Sequence, residues 1–125
     1  MSQGYPVKHF SQPTKRYVRT LSLRDDPQLI AEYRLRHDAE HHWPEIREGI
    51  KAVGILEMEI YILGTTLVMI VEAPADLDLD KAMQRLATLP RQQEWETYMS
   101  IFQRCSAEAT SDDKWQLMER MFYLY

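Results

Sequence analysis

The chain has 125 residues, 45% of them hydrophobic, with Lys+Arg 15 against Asp+Glu 19 and a formal net charge of −4. That length and apolar fraction fit one domain around a single core. The scattered basic residues give no footprint for nucleic acid or an anionic membrane, and one cysteine, Cys105, builds neither a disulfide framework nor a thiolate metal site.

No charged-then-apolar leader opens the chain, and the longest apolar run, Leu67-Val68-Met69-Ile70-Val71, is much too short to cross a bilayer, so a cytoplasmic protein is expected. Residues 1–13 carry Gly4, Pro6 and Pro13 without sustained periodicity and read as a flexible tail, leaving 14–125 as the domain. From Lys15 to Leu23, Tyr17, Arg19, Leu21 and Leu23 alternate with Arg16, Val18, Thr20 and Ser22, which predicts a first strand. Asp26 as N-cap and Pro27 at the first helical position then start a helix with Leu29, Ile30, Tyr33 and His37 facing inward.

Tyr33 and His37 are four apart, so a helix that reaches His37 stacks phenol and imidazole on one face. A hydroxyl beside an imidazole suits proton transfer near neutral pH, because histidine ordinarily titrates at roughly 6.5. The bland alternative is a half-buried tyrosine with a histidine at the helix end. Pro44 breaks the helix between His37 and itself, and a second helix runs from Pro44 to about Val53, with Gly54 as its left-handed cap. His37, His41 and His42 with Glu40 form a candidate metal cluster, but HExxH is absent and Pro44 argues against a continuous helix, so no metal is expected.

Ile55 to Leu63 reads as a second strand, Gly64-Thr65-Thr66 as a turn and Leu67 to Glu72 as a third strand antiparallel to the second. Ala82, Met83, Leu86 and Leu89 mark a helix, Pro90 restarts the chain as another, and Trp95, Tyr98, Met99 and Phe102 make one face of it. Ser106 to Asp113 is predicted as a polar loop and Met118 to Tyr125 as a last strand ending in aromatics. The pattern is α+β and ferredoxin-like, βαββαβ, with helices on one face of a four-stranded antiparallel sheet. Tyr17, Ile60, Ile62 and Phe122 are assigned to the other face, and a symmetric dimer of the α/β-barrel type is the expected cover.

Over Lys15 to Tyr125 the sequence resembles the L-rhamnose mutarotase family, including the related L-fucose enzymes. The resemblance rests on Glu32-Tyr33 followed by His37, Trp43-Pro44-Glu45, Gly54, Ile60-Tyr61, Trp95 with Tyr98-Met99, and Phe122-Tyr123-Leu124 in that order. It implies a dimeric ferredoxin-like isomerase that interconverts the α and β anomers of a 6-deoxy hexose, L-rhamnose first and L-fucose as the alternative, with no cofactor. By the same resemblance His37 is the proton donor, Tyr33 contacts the sugar and Trp95 lines its pocket. Met58 falls where the rhamnose enzymes present a tyrosine, and since a thioether donates no hydrogen bond, Glu57 or Glu59 is a candidate substitute. Two further departures are a two-residue insertion within Asp38 to His42 and Glu96 at a position where those enzymes can carry a second tryptophan.

Opening the hemiacetal needs a proton delivered to the ring oxygen and one removed from the anomeric hydroxyl, and the base is open between Tyr33, a carboxylate such as Glu59, and water. Core packing is the alternative for Trp95, and loop anchoring for Trp43. A reading of another class is a non-enzymatic ligand-binding or assembly module, or a small cofactor-free monooxygenase, because one fold hosts many functions.

Overall fold

The computed structural model describes residues 2–125; of the N-terminal segment, Met1 lies outside the described residues. Strand β1 (Thr14–Ser22) leads into helix α1 (Pro27–Arg36), where the Asp26 carboxylate accepts from the amides of Gln28 and Leu29 and Pro27 occupies the first turn. The helix stops at His37, and α2 (Pro44–Ala52) begins at the proline that cannot sit inside a continuous helix. Gly54 follows at φ +100 with a site for Cβ 3.3 Å from Leu77 Cδ1, so an unbranched backbone is required both conformationally and for space.

Strands β2 (Glu57–Leu63) and β3 (Thr66–Pro74) form a hairpin whose turn holds Gly64 at φ +61. Helices α3 (Leu79–Leu86) and α4 (Gln92–Met99), a short α5 (Ser111–Lys114) and the two-residue β4 (Gln116–Leu117) complete the chain. The sheet runs β2-β3-β1-β4 and every pairing is antiparallel, which is the ferredoxin-like α+β arrangement. No helix among the described residues is long and apolar enough to cross a membrane.

Four features differ from the sequence reading. Tyr17, Ile60 and Ile62 point toward the helices, not to the open face, because the register aligns Tyr17 and Met58 with Val71, Ile60 with Met69, and Ile62 with Leu67, all of which pack in the core. The open face carries Val18, Thr20, Val68 and Ile70, with Glu59 and Tyr61 toward the β2 edge, and Tyr5 lies edge-on to Tyr61 at 5.9 Å. Strand β4 ends at Leu117: the Met118 amide still donates to the Val18 carbonyl at 2.7 Å, then 118–125 leaves the sheet with Met121, Phe122 and Tyr125 exposed. Aromatics there satisfied strand propensity, but propensity reflects packing neighbours, and this chain offers them none.

The third difference lies at α4, which starts at Gln92 after Arg91 in the left-handed region at φ 65, so Pro90 precedes the helix instead of opening it. Arg91 is held there by Glu94 at 2.8 Å and by stacking over the Trp43 ring at 3.9 Å. The fourth is α5 itself, inside the expected loop: Thr110 and Asp113 cap each other's amides in a reciprocal capping box. Leu23, Leu67, Met99 and Phe102 are the largest fully buried side chains, and they anchor the helix layer on the sheet.

Candidate active site

Between the helix layer and the inner sheet face lies a cavity of about 520 Å³, whose walls include Tyr33, His37, Met58, Trp95, Glu96 and Trp115. That size falls within the few-hundred to thousand Å³ usual for small-molecule pockets. Helix α1 brings Tyr33 and ends on His37, β2 contributes Met58 from its inner face, and α4 contributes Trp95 and Glu96 from successive positions at the cavity edge.

The Tyr33 and His37 rings lie 4.3 Å apart at 42°, and the imidazole meets Trp95 edge-on at 5.3 Å. Trp95 in turn contacts Trp43 edge-on at 5.1 Å, and Trp43 stacks on Tyr98 at 5.7 Å. Trp43 therefore both anchors its loop and lines the cavity. His37 Nδ1 sits 2.6 Å from the Tyr33 carbonyl oxygen. A carbonyl only accepts, so Nδ1 carries the proton and Nε2 is left as a lone-pair nitrogen without a partner among the described residues. Burial lowers the His37 pKa, opposed by the Tyr33 carbonyl and reinforced by the Arg47 charge, so the uncharged ring is favoured near neutrality.

Behind the aromatics is a buried polar network. Lys114 Nζ, with 0% side-chain exposure, meets Glu96 Oε2 at 2.8 Å, the Glu96 carbonyl at 2.8 Å and Gln103 Oε1 at 2.9 Å. Gln92 donates to Glu96 Oε1 at 3.0 Å, and Gln103 Nε2 donates to the Tyr33 hydroxyl at 3.1 Å. Burial pushes the Glu96 carboxyl above its usual range even though Lys114 and Gln92 pull the other way. Burial likewise pushes the Tyr33 phenol well above its ordinary value.

Of the residues singled out in the sequence, Tyr33, His37, Met58 and Trp95 meet in this cavity. Glu59 does not: it is the strand neighbour of Met58, so period-two alternation sends it through the sheet to the opposite face, where it accepts from the Tyr61 hydroxyl at 2.9 Å. Glu57 lies at the cavity margin and remains the nearer carboxylate on β2. The histidine cluster does not converge either. The chain leaves the helix at Arg36, His41 Nδ1 binds the Asp38 carboxylate at 2.8 Å, and His42 Nδ1 meets the Asp38 carbonyl at 3.1 Å. Among the described residues no three His, Cys, Asp or Glu side chains gather as ligands.

Sequence reasoning missed Gln103, Lys114 and Trp115. The one available signal was Thr110 with Asp113, a capping pair that announces a helix start and places Lys114 on its last turn.

A family model described as L-rhamnose mutarotase matches residues 16–124. An L-fucose mutarotase of Xanthomonas campestris pv. campestris is 36% identical over 110 residues, 88% of each chain. A UPF0734 protein of Dictyostelium discoideum is 38% identical over 91 residues, 72% of this chain and 71% of that one. A crystal structure of an L-rhamnose mutarotase from Formosa agariphila superposes with a TM-score of 0.65 at 21% identity, covering 89% of this chain and 99% of the other, and supports the fold. With nearly the whole domain matched, the chain belongs to the L-rhamnose mutarotase family, whose members are carbohydrate isomerases.

Proposed function

We propose that the protein interconverts the α and β anomers of a 6-deoxy hexose, L-rhamnose or L-fucose, by acid–base ring opening. The observation that carries this reading is the meeting of His37, Tyr33 and Trp95 on one sugar-sized cavity. An indole wall suits the apolar face and methyl group of a deoxy sugar. His37 is the proton-transfer group. Its Nδ1 is occupied by the Tyr33 carbonyl, so Nε2 handles the proton. The uncharged ring takes up a proton from the anomeric hydroxyl or from water, and the imidazolium so formed gives one to the ring oxygen as the bond from that oxygen to the anomeric carbon opens. Burial makes that imidazolium a stronger acid than a solvated one. Glu59 has no part in this scheme, since it lies across the sheet.

Met58 and Trp95 are the apolar sugar contacts, and Met58 makes a van der Waals wall where a phenol would offer a hydrogen bond. The working form is a homodimer, supported by the exposed apolar arm of Met121, Phe122, Leu124 and Tyr125 and by a sheet face that no helix covers.

Saturation-transfer NMR tests the activity directly. Irradiating one anomeric proton of L-rhamnose or L-fucose should bleach the other faster with enzyme than in buffer alone. Exchange no faster than buffer for both sugars removes the proposal.

A further inference from the structure

Resting on the mutarotase reading, we infer that Gln103, oriented by Lys114, holds the Tyr33 hydroxyl as a hydrogen-bond donor aimed into the cavity, so that Tyr33 donates to a sugar oxygen and is not the base.

The inference follows from which groups can only donate. A lysine ammonium has no lone pair, so the Gln103 atom 2.9 Å from Lys114 Nζ must be the amide oxygen. That fixes the amide, and its NH2 faces the Tyr33 oxygen at 3.1 Å. An amide nitrogen donates, so the phenol oxygen accepts, and its own proton must point elsewhere. Among the described residues the hydroxyl makes no hydrogen bond as a donor, while Tyr33 and Gln103 both line the cavity. The cavity that Tyr33 and Gln103 line together is then where the hydroxyl proton finds its acceptor, a sugar oxygen.

Lys114 cannot turn away from this task. Its three protons go to Glu96 Oε2, the Glu96 carbonyl and Gln103 Oε1, and its side chain is wholly enclosed. Burial also keeps the phenol protonated at neutral pH, which agrees with a donor and disfavours a phenolate base. Gln103 and Lys114 are positioning residues: they act on the sugar only through Tyr33. Lys114 stands 81 positions beyond Tyr33, and the link exists only in the folded chain.

The decisive variant is Gln103→Glu, studied at pH 8.5 so that the introduced carboxylate is ionised beside Lys114. It preserves size and the contact with the ammonium but replaces a donor by an acceptor, so the Tyr33 proton swings from the cavity to the carboxylate. With tyrosine labelled at Cζ with carbon-13 and the resonance assigned through Tyr33→Phe, the Tyr33 signal should move downfield in Gln103→Glu without any sugar present. Anomer exchange should fall about tenfold, the equivalent of one hydrogen bond, in both Gln103→Glu and Tyr33→Phe. The double variant should be no slower than Tyr33→Phe alone, because the amide has nothing left to orient.

An unmoved Cζ signal overturns the inference whatever the enzyme does to sugars. A moved signal with losses that multiply in the double variant also overturns it, since Gln103 then acts independently of Tyr33. If Gln103→Glu does not fold, the wild-type protein decides: saturating L-rhamnose or L-fucose should shift the Tyr33 Cζ downfield, and a constant signal refutes donation. A wild-type protein that accelerates exchange of neither sugar removes the mutarotase reading, and the sugar-free shift still decides the orientation of the hydroxyl.

Discussion

Replacing Lys114 by methionine should destabilise the protein by an amount that depends on pH in a calculable way. The substitution keeps most of the side-chain length but removes the charge that faces Glu96 at 2.8 Å in an enclosed site. Stripping one partner from a buried ion pair typically costs about 3–5 kcal/mol, because the other charge is left without compensation. Glu96 has an escape, which is to bind a proton. Protonating at pH 7 a carboxyl that ordinarily titrates near 4.3 costs about 3.7 kcal/mol, at about 1.4 kcal/mol per pH unit, so this route sets a ceiling in the same range. At pH 5 the same route costs only about 1 kcal/mol. Burial already raises the Glu96 carboxyl in wild type, which therefore carries part of this pH dependence, so the loss in Lys114→Met relative to wild type should shrink between pH 7 and pH 5 by at most about 2–3 kcal/mol, read from urea unfolding midpoints at each pH. Adding Glu96→Gln to Lys114→Met should restore much of the stability at pH 7 and little at pH 5. A loss that is the same at both pH values, or untouched by Glu96→Gln, would show that Lys114 contributes through packing alone and that the network drawn above is wrong.

His37→Asn should slow anomer exchange by ~10²–10⁴-fold, the usual contribution of a positioned proton-transfer group, while circular dichroism and the melting profile stay close to wild type. Since burial lowers the folded-state pKa of His37, the unfolded chain takes the proton first as pH drops below about 6.5. Stability should thus decline on acidification through that window and flatten once the folded protein also protonates, and His37→Asn should remove this component in a pH series of chemical melts. Gly54→Ala should destabilise by about 1–2 kcal/mol, because φ +100 disfavours any side chain and the new methyl would crowd Leu77; a neutral result in thermal unfolding would mean the α2–β2 turn relaxes freely. Truncation after Leu117 should lower the mass measured by light scattering from dimer to monomer, and an unchanged mass would assign the arm no part in assembly.

The first three strands were legible from their β-branched and aromatic residues and from Gly64 in the hairpin turn, whereas the last strand was expected over Met118 to Tyr125 and lies at Gln116–Leu117. Helix starts were legible from a cap and a proline together at Asp26-Pro27, and from the proline alone at Pro44, where Trp43 supplies no side-chain cap. The face assignment failed at Tyr17, Ile60 and Ile62 because both faces of β1 and β2 carry apolar side chains, and only pairing with Leu67, Met69 and Val71 decides which is inward. Local spacing was enough to put Tyr33 beside His37, four positions along one helix. It could not find Gln103 or Lys114, which reach Tyr33 and Glu96 across 70 and 18 positions. Glu59 was misplaced by treating adjacent strand residues as interchangeable, although a strand sends them to opposite sides.

Helix α5 is only Ser111–Lys114, yet it carries the ammonium that holds Glu96 and Gln103, adjoins Trp115 of the cavity wall and, through Asp112, grips Arg19 of the first strand at 2.8 Å. Among the described residues, Lys114 is the cation paired with Glu96 and Asp112 the carboxylate paired with Arg19. A four-residue helix thus fastens the sheet edge and the helix layer with one charge pair each, and its loss would strand a buried carboxylate on one side and a buried guanidinium on the other.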